Sequence, residues 1–423
     1  MELKPGYKQT EVGVIPDDWG VRCLGDLGKL EMGKGLLKDD ISPQGEIPAI
    51  PYTSLYTDFS EVIDSGRIKW FAAEQAAPYI VNSPCVLFAS SSNVSANTGK
   101  ACALIDGFPT AVGREVISLN TKQNVVFISY LLGTRNYRKK TLDLAKGITI
   151  KHVYPTTFVK YAIAVPSISE QSAIAEALGD VDALLSSLDT LIAKKRDLKQ
   201  AAMQQLLTGK TRLPGFKGEW AVTRLGDHAT LIRNGVYSRA ELSIDGSIKY
   251  LHYGDIHTSG AVHLNPSEAI MPFLRADKAV RLGRLVSGDL VFVDATEDLA
   301  GVGKSVEVVG AEGTEVVAGL HTIAVRFDKR ILADGFKAYL QFIPAFGAHL
   351  RSLAAGTKVL STNRSHIASA EIALPSIAEQ AAIAQVLSDM DAELAALQAR
   401  RDKTRLLKQG MMQELLTGKT RLV

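Results

Sequence analysis

The sequence predicts a duplicated chain with two α/β (α+β) domains, each followed by one long helix, in which the two helices pair antiparallel as a coiled coil. Three observations predict this organisation: a gapless internal repeat, a heptad pattern within the repeated segment, and short β-rich runs outside it. The chain has 423 residues, more than one hydrophobic core usually supports.

The repeat aligns Pro166–Leu213 with Pro375–Leu422, and 29 of the 48 positions are identical. Both copies begin P-S-I-x-E-Q-x-A-I-A and end L-L-T-G-K-T-R-L. The repeat also continues circularly, because Pro5–Lys8 matches Pro214–Lys217, which follows the first copy. We therefore expect the two termini to lie close together, in a pseudo-two-fold circular arrangement. The predicted segments are two domains and two helical segments, in the order 1–165, 166–213, 214–374 and 375–423.

Each repeated segment is predicted to form one long helix. Ser167 with Glu170, and Ser376 with Glu379, have the S-x-x-E spacing of a capping box. Apolar residues then follow in steps of four and three, which predicts a helix-pair interface. Its members are Ile174, Leu178, Val181, Leu185, Leu188, Ile383, Leu387, Met390, Leu394 and Leu397.

Polar residues interrupt this seam, and glycines are placed to end the helices. The interruptions are Lys195, Lys199, Arg401, Thr404 and Lys408, and the glycines are Gly209 and Gly418. The alternative to a helix pair is that each helix packs only on its own domain. We favour pairing, because the seam is narrow and a helix of about 40 residues extends roughly 60 Å, beyond the width of one domain.

The two domains are predicted to share a fold although their sequences diverge. Predicted strands include Cys85–Ala89, Val116–Leu119, Leu290–Val293 and Ile323–Phe327. V-L-F followed by G-K at Gly99-Lys100 has the same spacing as L-V-F followed by G-K at Gly303-Lys304. One fold with two surface chemistries is expected if the domains bind two different things.

Composition narrows the classes of function. The net charge is only +3, so a nucleic-acid site must be a local basic patch. The three cysteines have no paired spacing, and the eight histidines have no metal-ligand spacing, so neither disulfides nor a metal site is expected. We expect a cytoplasmic protein, because neither a leader-like start nor a long apolar stretch is present.

Catalytic motifs are absent from the sequence. A base-modifying methyltransferase needs a [DNS]-P-P-[YFW] tetrapeptide and a glycine-rich cofactor loop, and the chain has neither. A G-x-S-x-G nucleophile motif is also missing. We therefore predict a binding protein with no catalytic residues rather than an enzyme.

Taken together, these features resemble the specificity (S) subunits of type I restriction–modification enzymes. The resemblance spans the whole chain and includes the domain entries Val14–Trp19 and Phe216–Trp220, the P-x-x-x-E-Q helix starts and the L-T-G-K-x-R helix ends. One departure is Pro-Ser where the family often has Pro-Pro. We expect Trp19 and Trp220 to anchor the core rather than to stack on bases.

The resemblance implies a division of labour. Each domain would be a target-recognition domain reading one half of a bipartite, asymmetric double-stranded DNA site, and the helix pair would fix the spacing between the halves. The helices would also dock two methyltransferase subunits, which carry S-adenosylmethionine and methylate adenine. A restriction subunit, an ATP- and Mg-dependent motor–nuclease, can join them. The chain itself would bind no cofactor.

Candidate DNA-binding residues are loop side chains suited to phosphates or base edges. They are Lys34, Ser91, Asn93, Lys100, Arg114, Lys151, His152, Arg233, Arg239, Thr296, Lys304, His321, Lys358, Asn363 and Arg364. For each one the alternative is an ordinary solvated side chain.

Three rival functions remain at this stage. One is a scaffold that binds proteins rather than DNA, built from a duplicated domain on a coiled coil. Another is a diverged methyltransferase or nuclease with unrecognised motifs. The third is the recognition subunit of a related modification system that lacks the motor.

Overall fold

The computed structural model describes residues 4–73, 79–82, 84–106 and 108–422, and it divides into two compact units. The first unit comprises Met1–Leu188 with Arg400–Val423, and the second comprises Asp189–Ala399. Each unit thus contains one α/β domain, the first part of one long helix and the last part of the other. The unit boundaries fall within the long helices.

The elements of the first domain are short strands and helices. The strands are β1 (Tyr7–Thr10), β2 (Gly13–Pro16), β3 (Gly20–Cys23), β4 (Gly28–Met32), β5 (Ile41–Ser42), β6 (Ile47–Ile50), β7 (Val62–Ile63), β8 (Trp70–Ala72), β9 (Ile80–Val81), β10 (Cys85–Ala89), β11 (Ser91–Ser92), β12 (Ala101–Leu104), β13 (Thr110–Val112), β14 (Val116–Thr121), β15 (Lys151–His152) and β16 (Ala162–Val165). The helices are α1 (Leu24–Leu27), α2 (Ser54–Thr57), α3 (Val125–Gly133), α4 (Arg135–Leu144) and α5 (Pro155–Val159).

The long helix α6 spans Ile168–Leu206 and precedes the second domain. The strands that follow are β17 (Ala221–Arg224), β18 (Ala229–Ile232), β19 (Ile248–Leu251), β20 (His263–Leu264), β21 (Phe273–Leu274), β22 (Leu290–Val293), β23 (Ala295–Thr296), β24 (Ser305–Val308), β25 (Glu315–Ala318), β26 (Thr322–Phe327), β27 (Leu360–Ser361) and β28 (Glu371–Leu374). The helices are α7 (Tyr253–Thr258), α8 (Ala276–Ala279), α9 (Pro344–Leu353), α10 (Arg364–Ala368) and the second long helix, α11 (Ile377–Leu415).

The main sheets of the two domains have the same topology, whereas the second sheet has five strands in the first domain (β5-β8-β6-β13-β9) and three in the second (β21-β19-β25). The main sheet has the order β4-β14-β10-β12-β7 in the first domain and β18-β26-β22-β24-β20 in the second. In both, the edge pair β12–β7 or β24–β20 is parallel and the other pairs are antiparallel. A two-stranded ribbon (β11–β15 or β23–β27) and a strand pair beside the long helix (β3–β16 or β17–β28) also recur.

The central strand of each main sheet is buried on both faces, which is why it reads as a continuous apolar run. Along β10, Val86 and Phe88 enter one core cluster, whereas Cys85, Leu87 and Ala89 enter another. This alternation follows from the two-residue period of a strand. The strand β22 divides its residues between two clusters in the same way. Both strands have the bounds that the sequence predicts.

The seam residues of the long helices contact both their own domain and the other helix. In the first unit, Ile174 and Leu178 share a core cluster with Trp19 of the domain and with Leu415 and Leu416 of the other repeat. In the second unit, Ile383 and Leu387 lie in one cluster with Leu206 and Leu207. In each unit, the long helix therefore both packs on its own domain and contacts the other repeat, the two arrangements that the sequence analysis treated as alternatives.

The other predicted interface residues are at least half-buried. Leu188 and Leu394 are buried, and Val181, Leu185, Met390 and Leu397 are intermediate. Beyond each helix, Gly209 and Gly418 adopt φ values of 67° and 69°, in the left-handed region where glycine is favoured. Among the residues that the structure describes, no helix combines the length and apolar composition needed to cross a membrane.

Candidate nucleic-acid interface

A buried carboxylate holds the start of each long helix. Glu170 is fully buried and accepts hydrogen bonds from Arg421 and, at 3.0 Å, from the indole N–H of Trp19. Arg421 also donates to Asp18 at 2.7 Å and 2.9 Å. These two carboxylates raise the pKa of Arg421, and the hydrogen bond from Arg421 lowers the pKa of Asp18. The N-terminal segment, the helix start and the C-terminal end are thereby joined at one point.

The second unit repeats this arrangement with Glu379 and Arg212. Glu379 is 1% exposed and is bonded by both the Nε and Nη2 groups of Arg212. The guanidinium lies 5.7 Å from the centre of the Trp220 ring. The indole N–H of Trp220 has no hydrogen-bond partner within the described part of the chain, so Trp19 and Trp220 differ in this respect. We call the Glu170–Arg421 and Glu379–Arg212 pairs the helix-start clamps.

The capping boxes predicted from S-x-x-E spacing form only in part. Ser167 Oγ accepts the N–H of Glu170 at 3.3 Å, and Ser376 Oγ accepts that of Glu379 at 3.3 Å. The two carboxylates do not complete the box, because they are bonded to arginines instead. A charged partner gives a stronger hydrogen bond than a backbone amide does.

The glutamine that follows each clamp glutamate connects the helix start to its own domain. Gln171 donates to Pro166 O at 2.9 Å and accepts the N–H of Asn124 at 3.0 Å. Gln380 donates to Pro375 O at 3.0 Å and accepts the N–H of Ala333 at 2.9 Å. The E-Q part of the repeat motif thus has a structural role that the sequence did not reveal.

Two of the lysines that interrupt the seam, Lys408 and Lys199, each bond an aspartate on the other long helix. We call each lysine–aspartate pair, with the tyrosine that bonds the same aspartate, an interhelical lock. In the first unit, Lys408 bonds Asp182 at 2.7 Å, and Tyr130 donates to the same carboxylate at 2.6 Å. Burial, together with the hydrogen bond to Asp182, raises the pKa of Tyr130. The ammonium of Lys408 lies 5.1 Å from the centre of the Tyr130 ring.

The equivalent lock in the second unit uses Lys199, Asp391 and Tyr339. Lys199 bonds Asp391, and Tyr339 donates to the same carboxylate at 3.0 Å. All three residues lie 209 positions from their counterparts. In the first unit, residue numbers rise from Lys408 to Arg421 in the second repeat while those of their partners fall from Asp182 to Glu170 in the first. The lock and the clamp of the second unit show the same opposite order. The two helix segments of each unit therefore run antiparallel.

The first domain brings several DNA-binding candidates together at its ribbon. Ser91 pairs with His152 across β11–β15, and Lys151 is the next residue along β15. Asn93 follows β11, and Arg114 lies in the turn before β14, both with exposed side chains. Of these five candidates, Asn93 and Arg114 are exposed and Lys151 and His152 are half-buried, whereas Ser91 is buried and is not open to a ligand.

The second domain presents a related but different group. Thr296 lies on the ribbon β23–β27 but is buried, and its hydroxyl donates to Asp298 O at 3.2 Å. His321 is half-exposed, and its Nδ1 lies 3.1 Å from Asp294 Oδ1. Lys358 is exposed on the loop before β27. Of these candidates, His321 and Lys358 are open to a ligand, whereas Thr296 is turned inward.

Two further candidates line a basic cleft in the second domain. Arg233 and Arg364 border a cavity of about 950 Å³, and Arg364 donates to Asn234 at 3.0 Å. Arg281 also borders this cleft, although it was not among the candidates. Arg281 follows α8 and lies between the apolar residues Val280 and Leu282, a sequence context that gave no reason to select it.

Asn363 and Arg239 are engaged within the second domain. Asn363 Oδ1 accepts the N–H of His366 at 3.1 Å and so caps α10. Arg239 is bonded to Asp255. Both side chains are exposed, so they remain accessible to a ligand.

The lysine candidates fall into two groups. Lys34 is exposed on the loop after β4. Lys100 and Lys304 occupy equivalent positions and are half-buried, and they donate to backbone carbonyls at Phe59 (2.6 Å) and His257 (2.7 Å). These bonds connect Lys100 to the loop after α2 and Lys304 to the last turn of α7, which gives both lysines a structural role. Their contact with DNA stays a prediction.

Comparison with known proteins agrees with this geometry. Residues 16–195 match the family model described as the type I restriction modification DNA specificity domain. Two specificity subunits of type I restriction enzymes from Methanocaldococcus jannaschii, MjaX and MjaVIII, are 22% and 23% identical to this chain. Each alignment covers 98% of this chain, and it covers 97% of the MjaX and 96% of the MjaVIII subunit. By sequence, this chain is related to the type I specificity subunits.

The fold of these subunits is shared as well. The crystal structure of a type I restriction–modification S subunit from M. genitalium matches with a TM-score of 0.60 at 14% identity, covering 98% of both chains. A chain from a structural study of complex assembly in the type I system matches with a TM-score of 0.52 at 16% identity, covering 96% of this chain and 99% of that chain. The predicted organisation of two α/β domains with long helices is therefore confirmed.

We predict that Arg421→Ala destabilises the first unit by about 2–3 kcal/mol, because it leaves the buried Glu170 carboxylate without its charged partner. The measurement is urea unfolding monitored by circular dichroism. Arg405→Ala is the matched control, because Arg405 pairs with Asp402 on the same helix at 3.9 Å and both side chains are more than half exposed. Equal losses from both variants would contradict the assigned role of the clamp.

Proposed function

We propose that this specificity subunit binds a bipartite, asymmetric DNA sequence and directs partner adenine methyltransferase and restriction subunits to it. The observation that carries the proposal is that two domains whose main sheets share one topology present different polar side chains at equivalent places. A shared scaffold with divergent surface chemistry suits two readers of different half-sites. The match of residues 16–195 to a DNA specificity domain supports DNA as the ligand class.

Positive charge on the proposed reading surfaces supports this proposal. Phosphate contacts need accessible cations. The exposed Arg114 and the half-buried Lys151 provide them in the first domain, and the exposed Arg233, Arg281 and Lys358 provide them in the second. Because the net charge of the chain is only +3, this charge acts locally. A binding surface of this kind would lose affinity as salt concentration rises.

We propose that α6 and α11 pair along their length as an antiparallel coiled coil with pseudo-two-fold symmetry, and that this pair is the spacer. The clamps and locks support the proposal, because they fix the register of the helices in each unit by ion pairs at repeated positions. A helix of 39 residues is roughly 60 Å long, and DNA presents the same groove face every 34 Å or so. Such a pair would set the number of unread base pairs.

We further propose that the chemistry belongs to partner subunits. Two methyltransferase subunits would carry S-adenosylmethionine and dock on the long helices, whose repeated sequence offers two equivalent surfaces. A restriction subunit would supply ATP- and Mg-dependent cleavage. The specificity subunit would select the site without contributing a catalytic residue or binding a cofactor.

The direct experiment is a domain exchange. Residues 14–165 are replaced by the equivalent domain of another specificity subunit, and methylated motifs are read by methylome sequencing in cells that carry the methyltransferase partner. We predict a split motif with a fixed gap in which only one half changes. A change in both halves would contradict one domain per half-site. A complex that methylates no sequence-specific motif would instead favour the protein-interaction scaffold.

A second experiment tests the spacer. One heptad is inserted after Leu188 and another after Leu397, equivalent positions away from the clamps and locks. Because a heptad adds about 10.5 Å of helix, we predict that the unread gap lengthens by up to about 3 base pairs while both half-motifs stay the same. A heptad keeps the apolar seam in phase, whereas a three-residue insertion is the control that breaks it. An active heptad variant with an unchanged gap would contradict the proposal.

A further inference from the structure

The same three backbone segments meet beside the ribbon in each domain. In the first domain, the N–H of Ser90 bonds Glu115 O at 2.9 Å, and the N–H of Val153 bonds Ser90 O at 2.8 Å. In the second domain, the N–H of Asp294 bonds His321 O at 3.2 Å, and the N–H of Thr362 bonds Asp294 O at 2.8 Å. The end of the central strand, the turn before the next strand and the ribbon therefore converge identically. We call this place the strand junction.

The side chains at the strand junction differ between the domains. In the first, Glu115 on the turn accepts from Ser90 Oγ at 2.9 Å and lies 4.0 Å from His152 Nδ1 on the ribbon. In the second, the carboxylate belongs to Asp294 on the strand end, and the imidazole belongs to His321 on the turn. A carboxylate beside an imidazole is thus kept, but the segments that carry the two groups have changed.

These groups are accessible and contribute little to folding. The exposed fractions of the side chains are 35% for both Glu115 and His152, 32% for Asp294 and 49% for His321. Pairs between partly solvated groups add little stability, because water screens them. His321 also has a φ of 56°, a left-handed conformation that is rare for residues other than glycine and that recurs at functional sites.

A carboxylate on a DNA-binding surface suits contacts with base edges rather than with phosphates. It repels phosphates, but it accepts hydrogen bonds from the amino groups of cytosine and adenine in the major groove. Arg114 precedes Glu115 and Lys151 precedes His152, so cations that suit phosphates flank the groups that suit base edges. This pattern separates positioning contacts from reading contacts.

We infer that Glu115 in the first domain and Asp294 in the second are specificity-determining residues that accept a hydrogen bond from a base amino group. Ser90 orients Glu115, and His321 orients Asp294. This inference rests on the proposed function and assigns the reading atoms within it. Because the carboxylate stands on a different segment in each domain, the two half-sites place their amino group differently. The target is therefore asymmetric.

The test uses the complex of this chain with its methyltransferase subunits and a DNA library randomised across both half-sites. Glu115→Gln and Asp294→Asn preserve side-chain shape but add an N–H donor where only an acceptor stood. We expect each variant to lose at least tenfold in preference for one base pair of one half-motif, a different half for each variant. The other half-motif is expected to stay unchanged. Glu176→Gln, an exposed position on α6, is the control and keeps both halves.

The outcomes separate this inference from the proposed function. If both variants keep the wild-type motif, or weaken binding to all sequences equally, Glu115 and Asp294 do not read bases, while the wild-type split motif still supports DNA recognition. If the wild-type complex selects no split motif, both proposals fail. Thermal melting of each variant shows whether a lost preference comes from unfolding, and a variant that loses preference while melting like the wild type supports the inference.

Discussion

The buried ion pair at the start of each long helix is the constraint on which the rest of the structure depends. A carboxylate as enclosed as that of Glu170 is stable in its charged form only if a cation and further donors compensate for the lost water. Arg421 and Trp19 provide this compensation. Because Arg421 belongs to the second repeat and Glu170 to the first, the first unit includes segments from both ends of the chain. The same reasoning applies to Glu379 and Arg212 in the second unit.

Much of the fold could be predicted because its patterns are local. The strands Cys85–Ala89 and Leu290–Val293 were predicted with their observed bounds, since burial on both faces leaves an unbroken apolar run. The long helices follow from heptad spacing and end before Gly209 and Gly418, as expected. The clamps were not predictable in this way. Their partners are separated by 251 and 167 residues, and S-x-x-E spacing by itself indicates a capping box.

The candidate interface was predicted less completely, for a physical reason. Residues chosen for positive charge include Lys100 and Lys304, whose ammonium groups turn inward to backbone carbonyls. The direction of a side chain depends on tertiary neighbours that a sequence pattern does not encode. Ser91 and His152 were selected separately, and the structure joins them on one ribbon. The carboxylates at the strand junction were missed, because no feature of the sequence distinguishes Glu115 and Asp294 from other acidic residues in loops.

A double-mutant cycle between Glu170 and Arg421 tests most directly whether the two repeats complete each other. The account predicts a coupling free energy of about 1.5–3 kcal/mol between Glu170→Gln and Arg421→Ala in equilibrium unfolding. It predicts a coupling near zero between Glu170→Gln and Arg212→Ala, because Arg212 bonds Glu379 instead. Strong coupling of Glu170 to Arg212, with none to Arg421, would contradict the account.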